Sequence, residues 1–126
     1  MTYSIVARCS QTGQLGVAVQ SHWFGAGVVC WAKAGVGAVA TQAMALIDHG
    51  PLGIELMQEG ESAENALRKR LSLDDAPEIR QVAMVDSAAG VAVHTGSQTI
   101  PEAGHIVGDG FSCQANMMWN STVWYA

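Results

Sequence analysis

Residues 24 to 47, FGAGVVCWAKAGVGAVATQAMALI, are almost entirely apolar or glycine, and this stretch limits the fold more than any other. Its length would suit a membrane span. However, Lys33 sits in the middle, where insertion scales charge about 2.5 to 3.5 kcal/mol for a lysine, and Thr41 and Gln42 interrupt it again. Glycines at 25, 27, 35 and 37 divide it into short β-compatible pieces, so buried sheet rather than lipid is the reading. A sheet of this kind needs partners, and with 126 residues, 49% hydrophobic and only 13% charged, the rest of the chain can supply them within one domain spanning 1–126.

The strand pattern extends in both directions. Residues 3–9 and 15–21 are β-rich runs joined by Ser10-Gln11-Thr12-Gly13-Gln14, which has hairpin composition. Leu15 to Val19 does not alternate polar with apolar, as in a strand covered on both faces. Val28–Ala32 and Ala38–Ala40 read as further strands. From Gln42 the spacing of Met44, Ile47, Leu52, Leu56 and Met57 predicts a helix, with Gly50-Pro51 breaking or kinking it, Pro51 suited to a first helical turn, and Gly60 stopping it. Ser62 is placed to cap a second helix through about Leu71, with acids near its start and Arg68, Lys69 and Arg70 near its end. Ile79–Asp86 and Val91–Thr95 form a second hairpin around Ser87-Ala88-Ala89-Gly90, and Gly110–Asn116 is the last strand. The order predicts an α+β layered domain with helices on one sheet face. Only one pair of helices is available, and the aromatic-rich last ten residues resemble the first turns of a further helix or an interface.

Chemistry is sparse. A formal net charge of -5 disfavours nucleic acid and anionic membrane surfaces as partners. Cys9, Cys30 and Cys113 lack the spacing of a disulfide framework or a zinc site, and the four histidines lack metal-ligand spacing, so no metal or other cofactor is expected. The first residues carry no secretory signal, which makes the cytoplasm the expected location. Gly35-Val36-Gly37-Ala38-Val39-Ala40 matches a dinucleotide fingerprint, but two helices and a hairpin follow where that fold needs alternating parallel strands.

Thr2 remains. If Met1 is removed, Thr2 acquires a free amine beside its hydroxyl, and an adjacent amine is one way to activate a threonine nucleophile. An α-amine titrates at about 7.7 to 8.0, so a nearby cation would leave it mostly neutral at cellular pH. Lys33 is the candidate cation, as the only charge in the long apolar stretch. A plainer alternative stands beside this: Thr2 is an ordinary strand residue and Lys33 reaches the surface from a sheet edge.

Thr2-Tyr3-Ser4-Ile5-Val6-Ala7-Arg8, Gly16 to Ser21, Ala34 to Ala43 and His94-Thr95-Gly96 resemble domain of unknown function family 1028, which is similar to N-terminal nucleophile (Ntn) hydrolases. The resemblance runs from Thr2 to about Met118. It implies an Ntn-hydrolase-like αββα sandwich, here lacking part of the second helical layer because members usually continue past this length. It also implies an amidohydrolase acting on a small molecule or peptide, with Thr2 as nucleophile and Lys33 favouring the neutral amine. Ser21 and Thr41 would line the cleft, and a backbone N–H or the Asn116 amide would stabilise an oxyanion; Gln42 and His94 are further candidates, with a hydrogen-bonded structural role the plainer reading of His94. Gln20 departs from the pattern, which has an aspartate there. The resemblance equally implies an alternative, a catalytically silent member that binds a ligand or assembles as a homo-oligomer.

Overall fold

The computed structural model describes residues 1–126. The chain forms eight strands in two four-stranded antiparallel sheets, two α-helices and three short 3-10 turns. The strands are β1 (Thr2–Arg8), β2 (Leu15–Ser21), β3 (Cys30–Lys33), β4 (Gly37–Ala43), β5 (Arg80–Asp86), β6 (Val91–Thr95), β7 (Gly104–Gly108) and β8 (Phe111–Asn116). The helices are α1 (His49–Gln58) and α2 (Ala63–Ser72). One sheet runs β2-β1-β8-β7 and the other β3-β4-β5-β6. The chain therefore has the α+β class expected, with no parallel pairing around the glycine fingerprint.

Strand alternation explains the layering. In β4 and β5, Val39, Val82 and Met84 pack with Ile54, Met57, Ala66 and Leu67 of the helices. Ala38, Ala40, Ala83 and Val85 point the other way and meet Val6, Leu15 and Val17 of the first sheet. The order is helices, second sheet, first sheet. The outer face of the first sheet carries only the C-terminal 3-10 turn Val123–Tyr125, whose Trp124 packs on Gly104. The aromatic tail thus makes a single turn against the sheet and no further helix.

Local signals account for several elements. The Ser62 side chain accepts from the Asn65 N–H at 3.2 Å, capping α2 as predicted. Asp86 ties that same helix start to the β5–β6 hairpin, accepting from the N–H groups of Ala63, Ala88 and Gly90. The start of α1 lies so close to β3 that a Cβ on Gly50 would stand 2.1 Å from the Trp31 ring.

Three boundaries differ from the sequence reading. The helical rhythm from Gln42 is not a helix: β4 continues to Ala43, paired with β5, and α1 begins only at His49. Met44 and Ile47, whose spacing suggested a buried helix face, stand 58% and 53% exposed in the connecting loop. Val28 and Val29 belong to a 3-10 turn (Ala26–Val29), so β3 is shorter and later than expected. β7 has no counterpart among the strands expected from the sequence. It is an edge strand of five residues with glycine at both ends, too short to display alternation.

The two sheets are joined by a buried polar ladder. Ser4 donates to Gln42 Oε1 at 2.8 Å, Gln42 Nε2 donates to Gln81 Oε1 at 2.7 Å, and Asn116 Nδ2 donates to the same oxygen at 3.2 Å. Gln81 Nε2 reaches Thr95 Oγ1 and the carbonyls of Ala115 and Gly104. Gln81→Leu would keep the volume but strip all of these partners at once. A loss of about 2 to 3 kcal/mol is expected in urea denaturation, with an unchanged slope. A loss below about 0.5 kcal/mol would mean the ladder contributes little.

Candidate functional site

The inner face of β1 carries Thr2, Ser4 and Val6, so Thr2 lies where the space between the sheets opens to solvent. The antiparallel register sets its neighbours: Ser21 of β2 lies opposite on one side and Asn116 of β8 on the other. Thr2 Oγ1 is 3.0 Å from Ser21 Oγ. Ser21 Oγ donates to the Met1 carbonyl at 3.1 Å and accepts from the Trp23 N–H at 3.1 Å. Either hydroxyl can serve as donor in the Thr2–Ser21 contact.

One residue beyond the strand pairing, His22 faces Met1. Its Nδ1 is 2.8 Å from the terminal nitrogen and 3.1 Å from the Met1 carbonyl oxygen, and its N–H donates to that oxygen at 3.3 Å. Ser21 and His22 therefore surround the peptide bond that precedes Thr2. Met1 itself is 51% exposed and not threaded into the core.

Two cavities meet at this point. One, of about 230 Å³, is bounded by Met44, Ile79, Ile100, Asn116 and Met117; the other, of about 170 Å³, by Phe24, Val28, Val29, Gln42 and Ala45. Thr2, Ser21, Trp23 and Ala43 line both. Ala43 and Met117, two of the three non-glycine residues with positive φ, at 66° and 56°, form part of these walls. Such backbone persists only where surrounding structure enforces it, and it concentrates at binding and catalytic sites.

Of the residues proposed from sequence, the fold brings together Thr2, Ser21, Gln42 and Asn116. Asn116 spends one N–H on Gln81 and retains a second.

Lys33 does not join them, which corrects the expectation of a cation beside the amine. It pairs with Gly37, at the opposite end of β4 from Ala43, roughly 20 Å along the strand. It also shares the helix-facing side with Trp31, and its exposed ammonium donates to Gln58 of α1. The plainer reading of Lys33 is the observed one.

Thr41 is likewise on the helix-facing side, with Val39 and Val82, buried and with Oγ1 unpartnered. His94 lies opposite Val82, and its Nε2 is 2.7 Å from the Pro77 carbonyl; it anchors a loop and lines neither cavity. Gln20 alternates with Ser21 and lines a groove on the outer face with Tyr3, away from the cleft.

His22, Trp23 and Met117 escaped the sequence reading. A signal for His22 existed, since a hairpin that pairs Thr2 with Ser21 must set residue 22 against residue 1.

No group of three or more His, Cys, Asp or Glu is arranged to hold a metal ion, and no helix is long and apolar enough to cross a membrane.

No curated protein matches the chain. Among solved structures, it is similar to the crystal structure of a protein from Silicibacter pomeroyi assigned to the DUF1028 family model, with TM-score 0.93 and 26% identity. The match covers 99% of this chain and 58% of that one, so the chain spans less than two thirds of its solved relative. The model for the family of unknown function DUF1028 matches residues 2–126, and the chain belongs to that family.

Proposed function

We propose that the chain is an amidohydrolase of the N-terminal nucleophile type, with Thr2 as nucleophile once Met1 is removed. The observation that carries this reading is the setting of Thr2. Its hydroxyl is oriented by Ser21 at a cleft mouth, and the bond whose removal frees its amine lies between Ser21 and His22. Two stacked antiparallel sheets with helices on one face agree with three layers of an αββα sandwich.

In the reaction, Thr2 Oγ1 attacks the amide carbonyl carbon of a small molecule or peptide and its proton passes to the Thr2 amine. The amine returns that proton to the leaving nitrogen as the C–N bond breaks, giving a threonyl ester. Water then hydrolyses the ester, regenerating the hydroxyl and releasing the acid. His22, rather than Lys33, is the polar side chain at this end of the chain: its Nδ1 contacts the Met1 nitrogen and carbonyl, and on this reading it turns to the Thr2 amine once Met1 leaves. The free N–H of Asn116 is the side-chain donor available to a developing oxyanion.

A second reading, a silent ligand-binding or assembly member of the fold, is favoured by the distance of Lys33 from Thr2 and by the uncovered outer face of the first sheet. The homo-oligomer expectation belongs to this reading.

Intact mass and a β-lactone probe separate the two. Protein lacking Met1 is expected to gain one probe mass at Thr2, while folded Thr2→Ala protein gains none. Equal labelling of the two proteins, or none on Met1-free wild type, excludes the hydrolase reading.

A further inference from the structure

We propose that the ligand of this cleft is an uncharged amide carrying an apolar group on each side of its carbonyl–nitrogen bond, one group in each cavity. The inference rests on the Thr2 reading for the position of that bond. The two cavities share Thr2, Ser21, Trp23 and Ala43 and diverge from them, so a ligand whose carbonyl carbon reaches Thr2 has one substituent directed into each. The walls select what those substituents can be. Beyond the shared residues, the larger cavity offers Met44, Ile79, Ile100 and Met117, and the smaller offers Phe24, Val28 and Val29. Neither is lined by Asp, Glu, Lys or Arg, and the titratable groups of the larger one are His22 and the chain terminus. Away from His22, Gln98, Asn116 and the terminus in the larger cavity and Gln42 in the smaller, a carboxylate or ammonium on these apolar walls would lose water without gaining a charged partner.

The surroundings point the same way. Trp23, Phe24, Val28, Met44, Ile100 and Met117, from four separate segments, are all at least 42% exposed at the cleft rim. Isolated exposed apolar side chains are ordinary, but a concentration around one concave site marks a surface that awaits an apolar ligand. The connecting loop after β4 shows the same bias: Met44 is turned toward the cleft although a helix face was available to it in the sequence pattern.

The test is equilibrium calorimetry on the Met1-free wild type and on Thr2→Ala with three probes. The first is the benzylamide of isocaproic acid. The second, the benzylamide of glutaric acid, carries a carboxylate on the acyl side. The third, the isocaproyl amide of para-aminomethylbenzoic acid, carries one on the amine side. The neutral amide is expected to bind about tenfold or more tighter than either acid. Val28→Lys and Ile100→Lys place an ammonium in one cavity each, at exposed positions where folding is insensitive. Each is expected to restore about tenfold in binding to one acid, and not the same one.

No measurable binding of the neutral amide, equal binding of all three probes, or Lys variants that fail to rescue different acids would overturn the proposal. If the order and the crossed rescue hold on both proteins while the neutral amide is never cleaved, the hydrolase reading fails and the two-cavity ligand stands. Cleavage without that order has the opposite meaning.

Discussion

Asp74→Asn is expected to cost about 3 to 5 kcal/mol at neutral pH, among the largest effects on folding available in this chain. Asp74, whose side chain is 1% exposed, joins three parts of the molecule. Its Oδ2 is 2.8 Å from His49 Nε2 at the start of α1 and 2.9 Å from Arg80 Nε at the start of β5, and its Oδ1 accepts from Arg80 Nη2 and the Ala76 N–H. Arg80 in turn donates to the Met44 carbonyl at 2.7 Å, so the pair also fixes the loop at the cleft. An asparagine would turn an N–H toward donors and leave the partly buried guanidinium without its counter-charge.

Acid titration tests the cause as well as the size. The Arg80 guanidinium, opposed by burial and aided by further hydrogen bonds, holds the Asp74 carboxyl far below the usual carboxylate range. A group whose folded value is depressed stabilises the fold above its unfolded value of about 4, and that stabilisation is lost as pH falls below it. The gap between wild type and Asp74→Asn should therefore be constant from neutrality to about pH 5 and narrow under stronger acid. Burial pushes His49 down despite the Asp74 contact. Its unfolded form accepts a proton first, so wild-type stability should begin to decline as pH falls through about 6.5. Urea midpoints measured across pH 3 to 7 check both. A gap under about 1 kcal/mol at pH 7 would show that water replaces the carboxylate at little cost.

What could be read from the sequence divides along physical lines. The β1–β2 and β5–β6 hairpins and the capped start of α2 depend on neighbours in the chain, on turn composition and on a serine at the right offset, and these were visible. Thr2 with Ser21 follows from the first hairpin alone. The pairing of β1 with β8 joins residues more than a hundred positions apart, and no local pattern announces it; through it Asn116 reaches Thr2.

Lys33 lies away from its expected place because a charge in an apolar run has two explanations, a buried function or a strand end turned to solvent. The side of the strand decides between them. Trp31 packs against Gly50, so Lys33, two residues on, must face α1. Met44 and Ile47 depart from the expected helix face for a related reason. Apolar spacing reports burial in the usual case, whereas here those side chains stand exposed in the loop that borders a cleft. Sequence rules fail where apolar side chains sit on a loop surface rather than in the core.

On the catalytic reading, Thr2→Ala should lower amide hydrolysis at least about a thousandfold, or roughly 4 kcal/mol in the barrier, because no other nucleophile is placed to form the ester. The Ser21 hydroxyl lies 3.0 Å away but has no amine attached to its own residue. Thr2→Ser should retain measurable turnover, since hydroxyl and amine keep their covalent relation. On this reading His22, which contacts Met1 here, turns to the freed amine and is a positioning residue, so His22→Ala should lose about ten- to a hundredfold and displace the acid limb of the pH–rate profile. Lys33→Met should stay within about twofold of wild type, because the ammonium belongs to the far end of β4 and to Gln58. Single-turnover assays on folded, Met1-free variants measure all four. A large loss on Lys33→Met with an unmoved His22→Ala would restore the lysine to the site and require the second sheet to rearrange in solution. Full activity in Thr2→Ala would remove the amino-terminal hydroxyl from the chemistry altogether.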